Sequence, residues 1–209
     1  MSVTALRTLG DPILSAPCEN LWGEGTGSAP ARTALIVDEM TAALRGTSGV
    51  AIAANQLGHS LRIVVIEDET VKDDERLGDK RLERVPHTVM IDPVIVEQSS
   101  VSVLHVEGCL SVPGYYALVE RPEWVEVQWR GPDGESRHAR FEGWPARIVS
   151  HELDHLDGLT VVNRTEAWGL MEITTYERLW RGVAPVRVRD ALTGTQPRHT
   201  AGGAASDAV

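Results

Sequence analysis

The stretch Gly143-Trp144-Pro145-Ala146-Arg147-Ile148-Val149-Ser150-His151-Glu152-Leu153-Asp154-His155-Leu156-Asp157-Gly158 decides how the rest of the chain is read. Ile148, Val149, Leu153 and Leu156 recur at helical spacing, Pro145 suits a first helical turn, and Gly158 lies just past the expected end. On such a helix His151 and His155 stand one turn apart on one face, where two imidazoles reach one metal ion. Glu152 lies beside that ion, placed to take a proton from its water.

Around this helix the chain reads as α+β. A first helix is expected over about Ala31 to Leu44, with Leu35, Ile36, Met40 and Leu44 on its apolar face. Leu61 to Ile66 is a short, β-branched apolar run and reads as a buried strand. Glu67 to Arg84 mixes acidic and basic residues and reads as a solvated excursion. Strand patterns follow from His87 through Val96, punctuated at Asp92-Pro93, and from Val101 through Val106. Val125, Val127 and Trp129 alternate with polar residues, and Gly131-Pro132-Asp133-Gly134 turns the chain into Ser136 to Phe141, an antiparallel hairpin. Residues 1–183 are expected to form one catalytic domain and 184–209, rich in Pro, Gly, Ser, Thr and Ala, a flexible tail.

The 209-residue length suits one core, and 42% hydrophobic with 24% charged residues is ordinary globular composition. A formal net charge of −10 has the wrong sign for a general nucleic-acid or acidic-membrane binder. With no signal-like start and no apolar run approaching the ~18 residues of a membrane span, a cytoplasmic location is expected.

A catalytic metal site needs a third protein ligand. The metzincin pattern places a His six residues after the second, and here that position is Val161. Glu172 or Glu177 would serve a thermolysin-like endopeptidase, although such enzymes are usually secreted. The remaining candidate is Cys109 in Glu107-Gly108-Cys109-Leu110-Ser111, since a thiolate flanked by Gly approaches a metal closely. Cys18, beside Pro17 with no His nearby, reads as a small buried hydrophobe.

Three motifs in order resemble those of the peptide deformylases: Gly49-Val50-Ala51-Ile52-Ala53-Ala54-Asn55-Gln56, Glu107 to Ser111, and His151 to His155. The resemblance spans roughly Leu6 to Asn163 and implies antiparallel sheets packed around a central metal-binding helix. It implies Cys109, His151 and His155 as ligands of one divalent ion, natively Fe(II), replaceable by Zn(II), Ni(II) or Co(II). The implied reaction removes the formyl group from N-formyl-methionyl peptides or nascent chains, with the ribosome as a further partner. Glu152 would act as base, and the Gln56 side-chain amide and the Leu110 backbone N–H would stabilise the developing oxyanion. Backbone groups of Val50 and Gly108 would bind the peptide as an added strand, and Val50 and Ile148 would line an apolar pocket for the methionine side chain. Glu107 and Arg121 match a family ion pair, a surface Arg being the alternative.

Three departures bear on activity. Ala51 stands where the family has Gly, and its methyl would narrow the groove or twist the strand. His105 takes a usually apolar position, as part of the methionine pocket or as a satisfied, partly buried His; Tyr115 and Tyr116 fall where some relatives place a substrate-contacting Arg. The sequence thus leaves three readings: an active deformylase, a deformylase-like protein with altered substrate range or little turnover, and a zinc endopeptidase.

Overall fold

The computed structural model describes residues 5–22, 30–68 and 84–195. A five-stranded antiparallel sheet has the order β1 (Ala51–Ala53), β2 (Ile63–Asp68), β3 (Val85–Gln98), β6 (Trp124–Arg130), β7 (Ser136–Glu142). A second, three-stranded sheet has the order β4 (Ser102–Gly108), β5 (Tyr115–Pro122), β8 (Leu170–Glu172). Five helices accompany them: α1 (Pro30–Arg45), α2 (Gly143–Leu156), α3 (Val161–Arg164), α4 (Ile173–Leu179) and α5 (Pro185–Thr193).

The period of two along a strand explains the layering. Ala51, Ala53, Val64 and Ile66 pack with Ile148, Val149, Leu153 and Leu156 of α2 in one apolar cluster. Their neighbours Ile52, Ile63 and Val65 pack on the opposite face with Ile36, Val37, Met40 and Leu44 of α1. Both faces of β2 are therefore covered, which is why Ile63 to Ile66 is an unbroken apolar run and not an alternating one. Leu35, expected on the apolar face of α1, is 70% exposed and Val37 takes that place. A stripe through positions 36, 40 and 44 turns residue 35 about 140° away from its centre.

Asp92-Pro93 is a bulge within one long strand. The β3–β6 register shifts between Ile91 and Val94, and Asp92 is the one non-Gly residue with positive φ (49°) among the described residues. Its carboxylate accepts hydrogen bonds from the backbone N–H groups of Leu21 (2.7 Å) and Trp22 (2.8 Å), which hold that conformation. The β6–β7 hairpin forms as the alternation predicts, with Gly134 at φ 81° in its turn. Of the charged excursion expected over Glu67 to Arg84, residues 69–83 lie outside the described residues.

The expectation of a flexible tail from 184 is corrected over its first part. Residues 185–193 form α5, with Pro185 in the first turn and Gly194 closing it at φ 71°. Val188 is fully buried and, with Leu192 one turn on, joins Leu118, Met171 and Tyr176 in an apolar cluster. Two apolar positions at i and i+4 suffice here because the second sheet supplies the rest of the hydrophobic contact. Residues 196–209 lie outside the described residues.

Helix α2 ends where the sequence predicts. Gly158 adopts φ 75°, and a Cβ there would meet the Ser15 and Ala16 backbone carbons at 2.9 Å. Gly158→Ala is expected to lose about 2–4 kcal/mol, adding backbone strain to a clash that no rotamer relieves. Urea unfolding of the two proteins measures the difference.

Candidate functional site

The two strands flanking α2 carry the other halves of the site. At the end of β4 the chain passes Glu107 and Gly108 to Cys109, and β1 runs into a 3-10 turn, Ala54–Leu57, that holds Asn55 and Gln56. Cys109, His151 and His155 each offer one ligand atom within 4.8 Å of the others, the Cys109 Sγ lying 3.2 Å from His155 Nε2. No other group of three or more His, Cys, Asp or Glu side chains is so arranged among the described residues. A thiolate with two imidazoles is a donor set for a divalent transition metal. Glu172 and Glu177 stand outside the cluster, Glu172 accepting from Thr175 (3.2 Å) and Glu177 paired with Arg181 (2.9 Å).

His151 is oriented by its other nitrogen. Its Nδ1 lies 2.9 Å from Glu107 Oε2, and a carboxylate only accepts, so a proton sits on Nδ1 and Nε2 is the nitrogen available to a metal. Glu107 is itself buried and bound by Arg121, whose Nε and Nη2 donate to its two oxygens at 2.6 and 2.9 Å. Burial pushes the Glu107 carboxyl up, but the hydrogen bonds from His151 and Arg121 and their charges outweigh it and hold it well below the usual carboxylate range. Arg121 also donates to Asp154 (2.8 Å), which Arg164 grips from the far side. Arg121 is 4% exposed, so the ion-pair reading holds over the surface one.

Gln56 is held at both ends of its amide. The Ala53 N–H donates to Oε1 (2.9 Å), and Nε2 donates to Ser111 Oγ (3.0 Å). Asn55 Nδ2 donates to the backbone carbonyl of His155 (2.6 Å), tying the same turn to α2. Glu152 is 5% exposed, its Oε2 has no hydrogen-bond partner, and burial pushes its carboxyl up to about 7. A buried, unpartnered carboxylate oxygen beside three metal-type ligands fits a site built for a cation and its water.

A cleft of about 330 Å³ opens over these groups, lined among others by Val50, Ala51, Gln56, Gly108, Leu110 and Ile148. Every residue that the sequence places in the site therefore lines the cleft, with the exception of His155, buried beneath it. Ala51 sits in regular antiparallel register with Ile66 and lines the cleft. His105 is buried and does not line the cleft; its Nδ1 lies 3.0 Å from the Val106 carbonyl and its ring beside Trp144. Tyr115 and Tyr116 do line it, the latter edge-on to Tyr176. Cys18 is a buried free thiol whose pKa burial pushes up to about 11, the environment of an inert packing residue.

Sequence reasoning missed Asn55, Ser111, Arg147, Asp154 and Arg164 as members of this network. A buried charge inside an amphipathic helix, as at Arg147 and Asp154, is the one signal that would have found any of them.

With the geometry in place, comparison with known proteins is specific. A model of the family described as polypeptide deformylase matches residues 3–169. Peptide deformylase 1 of Streptomyces coelicolor is 36% identical over 184 residues, covering 88% of this chain and 83% of the relative. The peptide deformylase of Mesorhizobium japonicum is 34% identical, covering 88% of this chain and 97% of the relative. Among solved structures, a class I type b peptide deformylase from Acinetobacter baumannii with Met-Ala-Ser bound superposes with TM-score 0.69 at 33% identity, covering 78% of this chain and 98% of that one.

Replacing Arg121 with Met is expected to cost about 3–5 kcal/mol, because it leaves Glu107 buried without its bidentate partner. Chemical denaturation with the linear extrapolation reads that loss.

Proposed function

The chain belongs to the polypeptide deformylase family, and on that premise we propose that Cys109, His151 and His155 hold the divalent ion on which its deformylation of N-formyl peptides depends. The observation that carries the reading is the meeting of those three ligands beneath a cleft in which the Glu152 carboxylate has an unpartnered oxygen. Membership of the family points to Fe(II) as the native ion, and the thiolate and imidazoles would also accept Zn(II), Ni(II) or Co(II). When bound, the ion supplies a Lewis acid and a water that ionises near neutral pH.

The remaining steps belong to the protein's own residues. The peptide lies along β1 as an added strand, backbone groups of Val50 and Gly108 fixing it and Ile148 with Val50 receiving the methionine side chain. Glu152 takes the proton of the attacking water at its carboxylate. Gln56 has one Nε2 hydrogen committed to Ser111, and its amide cannot flip without losing the Ala53 bond, so its second hydrogen is fixed toward the formyl oxygen. With the Leu110 backbone N–H it stabilises the oxygen as charge develops there. Glu152 then returns its proton to the leaving amine, giving formate and a free N-terminus.

Residues 1–183 act as the catalytic domain, with α5 packed onto it. No helix among the described residues is long and apolar enough to cross a membrane. The substrates are N-formyl-methionyl peptides or nascent chains met in the cytoplasm, at the ribosome. A zinc endopeptidase has less support, since its candidate ligands Glu172 and Glu177 stand outside the cluster.

Two measurements test this reading. Glu152→Ala is expected to retain metal and lose at least about 100-fold in formate release from a formyl-methionyl peptide, the scale of a general base; undiminished release would refute the assignment. Cys109→Ala, or dialysis of the native protein against a strong chelator, is expected to remove metal and activity together, with activity returning to the chelated protein on adding Fe(II) or Ni(II).

A further inference from the structure

Helix α2 aims a second cation at Glu107. Arg147 lies one turn before His151, so both side chains leave the helix on one face. Arg147 Nη1 donates to Glu107 Oε1 at 2.6 Å, while His151 Nδ1 meets Glu107 Oε2 at 2.9 Å. The two oxygens of one carboxylate are thus pinned from two successive turns of the same helix. The same guanidinium continues beyond Glu107: Nη1 reaches the Val119 carbonyl (3.2 Å) and Nη2 the Val103 carbonyl (2.6 Å). Val103 is in β4 and Val119 in β5, so one side chain of α2 binds both strands of the hairpin that delivers Cys109.

We propose that Arg147 is a positioning residue for the metal site, fixing the Glu107 carboxylate against His151 and the β4 end against α2 so that Cys109 and His155 meet. Arg121 cannot supply this alone. It lies on β5 opposite Val103, in the same sheet as Glu107, and reaches α2 at Asp154, three residues past His151. Arg147 provides a direct sheet-to-helix link on the Glu107 side, with 6% of its surface exposed. Met of similar length would keep the apolar stem and remove the hydrogen bonds to Glu107, Val119 and Val103. Lys would keep the charge but has a compact ammonium that cannot reproduce the planar fork spanning Glu107 and Val103.

The proposal rests on the ligand set of the preceding section, and the test separates the two. Zn(II)-loaded wild type, Arg147→Met, Arg147→Lys and Cys109→Ala are mixed with a chromogenic chelator, and the rate of Zn(II) loss is followed. Thermal unfolding of each metal-free protein is recorded alongside. Arg147→Met is expected to lose Zn(II) about 10- to 100-fold faster, the range for partners that orient a ligating His, and Arg147→Lys to fall between. In Co(II)-substituted Arg147→Met the thiolate-to-cobalt absorption band should shift or weaken. A lower melting temperature with wild-type Zn(II) loss would make Arg147 a merely structural residue and overturn the proposal. Should Arg147→Met fail to fold, Arg147→Lys decides: faster loss supports the role and wild-type retention overturns it. Zn(II) kept by Cys109→Ala would overturn the ligand set itself.

Discussion

The buried carboxylate of Glu107 is the point on which the site depends. Placed under the cleft without partners, its charge would cost several kcal/mol of lost solvation, and the fold meets that demand with donors from both layers. Arg121 reaches it from β5, and Arg147 and His151 from α2. Each donor is bound in turn: Arg121 shares Asp154 with Arg164, and Arg147 continues to two strand carbonyls. Ionic contacts of this kind add little to net stability compared with apolar packing, but they tolerate only one mutual arrangement. That arrangement sets a thiol two residues beyond Glu107 beside an imidazole one turn beyond His151.

Apolar packing determines where α2 lies, and hydrogen bonds determine its final register against the site. The helix buries Ile148, Val149, Leu153 and Leu156 against one face of the large sheet while α1 covers the other. This contact is adaptable by a methylene or so. The directional ties are finer: Asn55 binds the His155 carbonyl from the turn after β1, and Trp144 Nε1 binds Asp68 Oδ2 (3.0 Å) at the end of β2. Together they fasten the two ends of α2 to the sheet edge along which the cleft runs.

How much of this was legible in the sequence follows the range of the interactions. The two His, their helix and its Gly stop depend on residues within four positions of one another, and the β6–β7 hairpin on pairs six to eighteen apart across one turn; both were readable. The unbroken apolar run of β2 was readable as a strand, although which neighbours covered its two faces was not. Helix α5 was hidden because its apolar content, Val188 and Leu192, is sparse, and residues of β4 and β5 more than sixty positions earlier help complete its cluster. Leu35 has the apolar type of the α1 stripe but not its angular position, and so faces solvent. The Arg147 and Asp154 contacts span 40 and 33 residues, so no local pattern announces them. Resemblance to a family supplied Cys109 and Gln56, where spacing alone left alternatives open.

Unmet valence is part of the site's signature, although Asn55 Oδ1 and Trp129 Nε1 are also buried without partners. Buried polar atoms without partners are rare in native proteins because each forfeits its solvation. Around α2 the supporting carboxylates, Glu107 and Asp154, have every oxygen engaged. Glu152 Oε2 and His155 Nδ1 are instead buried and unpartnered, and both residues belong to the motif that faces the ligand cluster. Packing alone would favour an apolar side chain at position 152, just as it does at Leu153. A carboxyl that burial raises to about 7 is costly as structure and well matched to accepting and returning a proton near neutral pH. Ala51 does not disturb this arrangement: it lines the cleft from β1, in regular antiparallel register with Ile66.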